Sequence, residues 1–261
     1  MKNIVYIFLL MFIPGLSLFA QSKVYTENVK YYDGNTVLEG YIAYDDTFTG
    51  ERPAVIVVHD WMGISDFTKT RCEKLAELGY VAFAADIYGK DSRPSSNQNA
   101  GKIASLYKND RQLMRSRINL AFEEIKKNKI VNKDKIAVMG YCFGGTVALE
   151  LARSGAGIKG AVSFHGNLDT PNLEDAKNIK SKILVLNGAD DPFVTEVQIK
   201  TFEEEMNNAN VDWQFVNYSG AVHSFTNPDS GNDKSKGAAY NEKADKRSWI
   251  AMKSFFEEIF N

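Results

Sequence analysis

Cysteine is nearly absent from this chain: two occur in 261 residues, Cys72 and Cys142. That count excludes a small disulfide-stapled scaffold and leaves room for one bridge at most. Histidine is almost as scarce, at three, so chemistry that needs an imidazole has few places to find one. No excess of one charge exists either: 31 Lys and Arg face 33 Asp and Glu, a net charge of -2. The basic residues are interleaved with acids, whereas a nucleic-acid or anionic-membrane partner calls for a clustered basic surplus, so neither is expected. There is no internal repeat, low-complexity tract or interdomain linker. Nor is there a metal-ligand cluster or a phosphate-binding glycine loop, and no metal or cofactor is expected.

Long hydrophobic runs are also missing, with one exception at the N-terminus. Residues 4–13 are unbroken apolar sequence after Lys2, and Pro14-Gly15 then breaks the run. It is too short to cross roughly 30 Å of hydrocarbon, and Leu18-Phe19-Ala20 before Gln21 offers a small residue at a cleavage point. Residues 1–20 therefore read as a cleaved secretory leader. The mature protein is expected to begin near Gln21, to be periplasmic or secreted, and to have no membrane attachment once the leader is gone.

What the chain does have is the material for a large core, 44% hydrophobic residues with 12% aromatic. Its length suits one α/β domain over residues 21–261. Residues 24–32 and 36–44 alternate as strands around the turn Asp33-Gly34-Asn35. After them come short all-apolar runs of the kind expected for strands buried on both faces, at residues 54–58, 80–85, 135–139, 160–164 and 182–186, with a last strand at 213–218. Helical periodicity fills the intervals at residues 67–78, 106–127, 144–153, 195–208 and 240–260, and residues 89–99 read as loop. Strands alternating with helices predict a mostly parallel twisted sheet covered on both faces, with the first hairpin as an antiparallel edge. Gly79 is placed to cap the first helix. Cys72 lies within that helix and reads as a small core residue. The aromatics of the last helix (Trp249, Phe255 and Phe256) and Met206 also read as core, and the lysine-rich stretch 125–135 as a solvated helix end and turn.

The chemically suggestive residues all fall at the carboxyl ends of strands, where sheets of this class bind ligands. Gly140-Tyr141-Cys142-Phe143-Gly144-Gly145 follows a buried strand and opens a helix. This is a nucleophile elbow with cysteine in the place of serine. Glycines on either side let the helix pack close behind a strained turn, and the helix N-terminus favours a thiolate. His223 follows the last strand, as the base does in the chain order nucleophile, acid, histidine. His59 precedes the elbow and His165 ends a middle strand, so neither fits that order. The acid should come from Asp190-Asp191 in the loop after residues 182–186, where it would orient the imidazole; local sequence does not separate the two. An oxyanion hole would use the backbone amide of Phe143 and that of Trp61, in the loop His59-Asp60-Trp61-Met62-Gly63.

Together these segments, with Ala84-Ala85-Asp86-Ile87-Tyr88-Gly89, Gly188-Ala189-Asp190-Asp191-Pro192-Phe193-Val194 and His223-Ser224-Phe225, resemble the dienelactone hydrolase family of α/β-hydrolases from about Ala54 to the C-terminus. The resemblance implies that fold and a Cys142–His223–Asp191 triad, with Asp191 rather than Asp190 as the acid. It implies hydrolysis of carboxylic ester or lactone bonds in small substrates through an acyl-enzyme. Asp60 matches a family glutamate that holds the nucleophile until substrate arrives, and is one methylene shorter. Two arginines that grip a substrate carboxylate in the family correspond to Lys90 and Asn227, with Arg93 as a neighbouring substitute. Lysine loses the bidentate fork and asparagine loses the charge. Two other readings stand beside this one: a non-catalytic binding or thiol-sensing protein on the same fold, or a hydrolase of thioester or peptide bonds. A monomer is expected.

Overall fold

A computed structural model describes residues 23–261, so the leader expected over residues 1–20 lies outside the described residues. The N-terminal alternation folds as a hairpin of β1 (Val24–Asp33) and β2 (Thr36–Asp45). The apolar runs become β3 (Arg52–Val58), β4 (Val81–Ala85), β5 (Val131–Tyr141), β6 (Gly160–Phe164) and β7 (Lys182–Gly188), followed by β8 (Trp213–Tyr218). All eight form one sheet in the order β1-β2-β4-β3-β5-β6-β7-β8. Every pairing from β4 to β8 is parallel, and β2 joins β4 antiparallel. The hairpin is therefore the antiparallel edge that its alternation predicts.

The helices are α1 (Asp66–Glu77), α2 (Asn97–Asn109), α3 (Arg111–Ile125), α4 (Phe143–Arg153), α5 (Glu196–Asn208) and α6 (Glu242–Phe260). Side-chain alternation along the strands explains how they are sorted. Ile56 and Val138 point into an apolar core shared with Ile118 of α3, Val147 of α4 and Phe202 of α5. Val57 and Met139 point the other way, into a core built with Cys72 and Leu75 of α1 and Met252 and Phe256 of α6. Cys72 is fully buried there, and Gly79 leaves α1 with φ +90°, as a left-handed cap requires.

Three local expectations change. The periodicity over 106–127 divides into α2 and α3, because Asp110 ends the first helix and its carboxylate accepts the Leu113 amide (2.9 Å), capping the second. The stretch 89–99 is not wholly loop: Lys90–Ser92 is a 3₁₀ turn, and α2 begins at Asn97 behind the Ser96 cap. The lysine-rich stretch 125–135 is only partly helix end and turn. Val131 opens β5 and pairs with Arg52, while Lys133 and Asp134 stay exposed.

Candidate active site

Between β5 and α4 the chain turns through Cys142 at φ 54° and ψ -116°. Such a conformation costs a residue with a side chain roughly 1–3 kcal/mol and persists only where the surroundings enforce it. Two features enforce it here. A Cβ on Gly140 would overlap the carbonyl of Gly144, and one on Gly144 would overlap that of Val58, so both glycines are required for α4 to fold back on the sheet. The Cys142 amide is also shared between Phe164 O (3.0 Å) and His165 Nδ1 (3.2 Å). Sγ thus stands above the sheet at the positive end of α4.

The loop after β8 carries His223, whose Nε2 lies 3.0 Å from Cys142 Sγ. Its backbone is clamped on both sides by the segment 237–239: His223 N donates to Gly237 O (3.1 Å), and Ala239 N donates to His223 O (3.0 Å). Nδ1 of His223 lies 2.8 Å from Asp191 Oδ2. The other oxygen of Asp191 accepts the Phe193 amide (2.8 Å), which holds the carboxylate in place. Asp190 is exposed, so of the two adjacent aspartates it is the buried Asp191 that faces the imidazole. Burial works against a charge on His223. The negative charge of Cys142 and the Asp191 hydrogen bond outweigh it and push the imidazole up to about 10. In a pair of sulfur and imidazolium oriented by a carboxylate, the sulfur can attack an electrophilic carbon and the imidazolium can protonate the leaving group.

Across from the elbow, the Asp60 carboxylate accepts the Met62 amide (2.8 Å) and folds the His59–Gly63 loop into a tight turn. Burial raises the Asp60 pKa, opposed by that hydrogen bond and by the neighbouring imidazoles of His59 and His223. His59 is buried, donates from Nδ1 to Asp60 O (2.6 Å) and accepts the Ile87 amide at Nε2 (3.2 Å). Tyr88 Oη donates to Trp61 O (3.2 Å), which fixes the far side of the turn. Among the described residues, neither the Trp61 amide nor the Phe143 amide donates to a backbone or side-chain acceptor.

Each of the three positions expected to grip substrate has a partner within the protein. Lys90 Nζ donates to Glu39 Oε1 (2.8 Å), and Arg93 Nη2 donates to Glu39 O (2.6 Å) and Asp86 Oδ2 (3.1 Å). Asn227 Oδ1 accepts the Asp229 amide (3.0 Å) and caps its own turn. Two residues that the sequence reading gave no role stand at the site instead. Phe193, half exposed, meets the His223 ring edge-on at 5.3 Å, and the His165 ring lies 5.2 Å from it. The one signal for His165 was its position at the carboxyl end of a central strand.

The chain resembles known proteins in both sequence and fold. A sequence model of the dienelactone hydrolase family matches residues 38–260. The solved structure of the dienelactone hydrolase-like promiscuous phosphotriesterase P91 from metagenomic libraries is 38% identical, with a TM-score of 0.87 over 91% of this chain and 99% of that one. A second solved structure, m3DLH, is 36% identical with a TM-score of 0.88 at the same coverage. A Bradyrhizobium protein named "Probable 2-oxo-3-(5-oxofuran-2-ylidene)propanoate lactonase" is 30% identical over 187 residues, 68% of this chain and 75% of that protein.

Proposed function

From the premise that this chain belongs to the dienelactone hydrolase family and is an ester or lactone hydrolase, we propose that Cys142, His223 and Asp191 form its triad and that the reaction passes through an acyl-enzyme. The observation that carries this reading is the continuous chain of contacts from Cys142 Sγ to His223 Nε2 (3.0 Å) and from His223 Nδ1 to Asp191 Oδ2 (2.8 Å). The sulfur attacks the carbonyl carbon, and the Trp61 and Phe143 amides receive the charge that forms on its oxygen. His223 gives its proton to the departing alkoxide, leaving a thioester on Cys142. Water, deprotonated by His223, then attacks the thioester carbonyl, releases the acid and restores the sulfur.

Small neutral substrates fit the surroundings better than anionic ones. Lys90 and Arg93 already neutralise Glu39 and Asp86, Asn227 carries no charge, and Asp60 adds a carboxyl group beside His223. Half-exposed Phe193 and Trp61 offer apolar walls. Neutral p-nitrophenyl esters of short acids and small lactones should be turned over at least tenfold better in kcat/KM than p-nitrophenyl hydrogen succinate. Cys142→Ala should abolish turnover, and intact-protein mass spectrometry of the wild type should catch an acyl adduct on Cys142. Activity retained by Cys142→Ala would overturn the reading.

A second substrate class is favoured by the 38% identity to a phosphotriesterase over 91% of this chain. A neutral phosphotriester presents an electrophilic phosphorus and an oxygen that gains charge, so the same sulfur and amide donors suit it. Release of p-nitrophenol from diethyl p-nitrophenyl phosphate, absent in Cys142→Ala, tests it. We also propose that the chain works as a monomer and is exported after cleavage near Ala20. Size-exclusion chromatography and N-terminal sequencing of the protein recovered from the periplasm or medium check these points.

A further inference from the structure

His165 is not part of the hydrogen-bonded chain from sulfur to carboxylate, yet it touches both segments that the chain must align. It ends β6 in a left-handed conformation, φ 42°. Among the described residues four non-glycines have positive φ, and three of them, Cys142, His165 and Ser224, lie at or beside the site. Backbone strain of this kind collects where the surroundings dictate position.

The hydrogen bonds fix the state of the ring. The Cys142 amide donates to His165 Nδ1 (3.2 Å), so Nδ1 carries no proton; the proton sits on Nε2 and is donated to Thr226 Oγ1 (2.8 Å). Thr226 is three residues beyond His223 and is itself anchored, its carbonyl accepting from buried Arg71 (2.8 Å), which pairs with Asp245 (2.7 Å). Burial and the charge on nearby His223 hold His165 well below the usual histidine range. A charged His165 would put a second cation 5.2 Å from His223.

We propose that His165 is a positioning residue, tying the backbone amide of Cys142 to the loop that carries His223 and so setting the distance between Sγ and Nε2. The same contact, together with the bond to Phe164 O (3.0 Å), holds the peptide plane that leads into Cys142. This rests on the reading of Cys142 as nucleophile and His223 as base. The tie spans the elbow after β5 and the turn after β8, the two segments that carry the reacting side chains. An error of about 1 Å in such an arrangement can cost a hundredfold in rate.

Two histidine replacements separate its two contacts. His165→Asn tolerates the left-handed backbone and keeps an acceptor near Nδ1, while losing the reach to Thr226. His165→Gln keeps a donor near Nε2 and loses the acceptor for the Cys142 amide. Thr226→Val cuts the bond without touching the histidine, and Thr226→Ser keeps the hydroxyl. Steady-state kinetics on a p-nitrophenyl ester and the rate of Cys142 alkylation by iodoacetamide are measured for each, with thermal melts and Cys142→Ala as controls. Thr226→Val and His165→Gln should each lower kcat about tenfold or more, leave KM within threefold, and slow alkylation in parallel. Thr226→Ser should restore kcat to within threefold of wild type. A folded Thr226→Val with wild-type kcat and alkylation rate, beside an inactive Cys142→Ala, would refute the positioning role alone. An active Cys142→Ala would remove the nucleophile reading and this inference with it.

Discussion

Cys142 Sγ and His223 Nε2 lie 3.0 Å apart although 81 residues separate them in the chain. The sheet accounts for the meeting. β5 delivers the cysteine and β8 the histidine, both at carboxyl ends, and β6 and β7 between them place His165 and Asp191 on the same rim. Four successive parallel strands thus each release a loop onto one side of the sheet, as the strand-end rule for ligand sites anticipates.

On the proposed triad, Asp191 orients the imidazole and balances its charge, so its replacement is expected to act on the rate more than on the fold. Asp191→Asn keeps the size and one acceptor oxygen but favours the wrong tautomer of His223. It should lower kcat/KM on the order of a thousandfold or more. Asp190→Asn, on an exposed neighbour, should stay within twofold of wild type. Equal losses in the two variants would remove Asp191 from its role.

The pKa of His223, raised to about 10, depends on the sulfur it faces. Taking away that negative charge leaves burial, which lowers the value, opposed chiefly by Asp191. In Cys142→Ala the His223 midpoint should therefore move down, toward the ordinary histidine value near 6.5. Nitrogen-15 NMR of the imidazole, followed against pH in both proteins, measures it directly. An unchanged midpoint would mean that the cysteine and histidine are not electrostatically linked.

Asp60 gives a pH effect of the opposite kind. Burial disfavours its ionised form, so its folded pKa lies above the unfolded value. A native state that binds its proton more tightly than the unfolded chain gains stability below the unfolded pKa and loses it as pH rises through the folded one. Asp60→Asn can still accept the Met62 amide and never ionises. The variant should be more stable than wild type at neutral pH, and that advantage should vanish in acid below the carboxylate range. Urea unfolding at several pH values checks this, and a constant difference at all of them would contradict it.

Much of the sheet is legible in the sequence because strands buried on both faces leave continuous apolar runs, such as residues 54–58. The break at Asp110 is not, since apolar spacing continues through it and an aspartate on a helix surface looks the same as one that caps. At the site, the order of Cys142 and His223 along the chain is enough to pair them. The choice between Asp190 and Asp191 depends on which side chain turns inward, and adjacent identical residues carry no local signal for that. The pairing of Lys90 with Glu39, 51 residues before it, is not legible either, because no local pattern joins the two. The bridge from Cys142 through His165 to Thr226 is hidden for the same reason, as it joins three separate loops.

The elbow glycines offer the sharpest test of whether backbone proximity, rather than composition, sets the nucleophile. A methyl group on Gly140 would run into the backbone of Gly144, which cannot move aside without lifting α4 from the sheet. Gly140→Ala should cost about 3 kcal/mol, at the upper end of the usual overpacking penalty, and should displace Cys142. Gly157→Ala serves as its counterpart: the position is exposed, has nothing within 4 Å of the added carbon and needs no left-handed backbone. There the shorter list of unfolded conformations should leave stability unchanged or raise it by about 0.4–1 kcal/mol. Urea midpoints at constant slope read both. If Gly140→Ala melted and reacted like wild type, the close approach of α4 to β5 would not be what holds Cys142 in its strained turn.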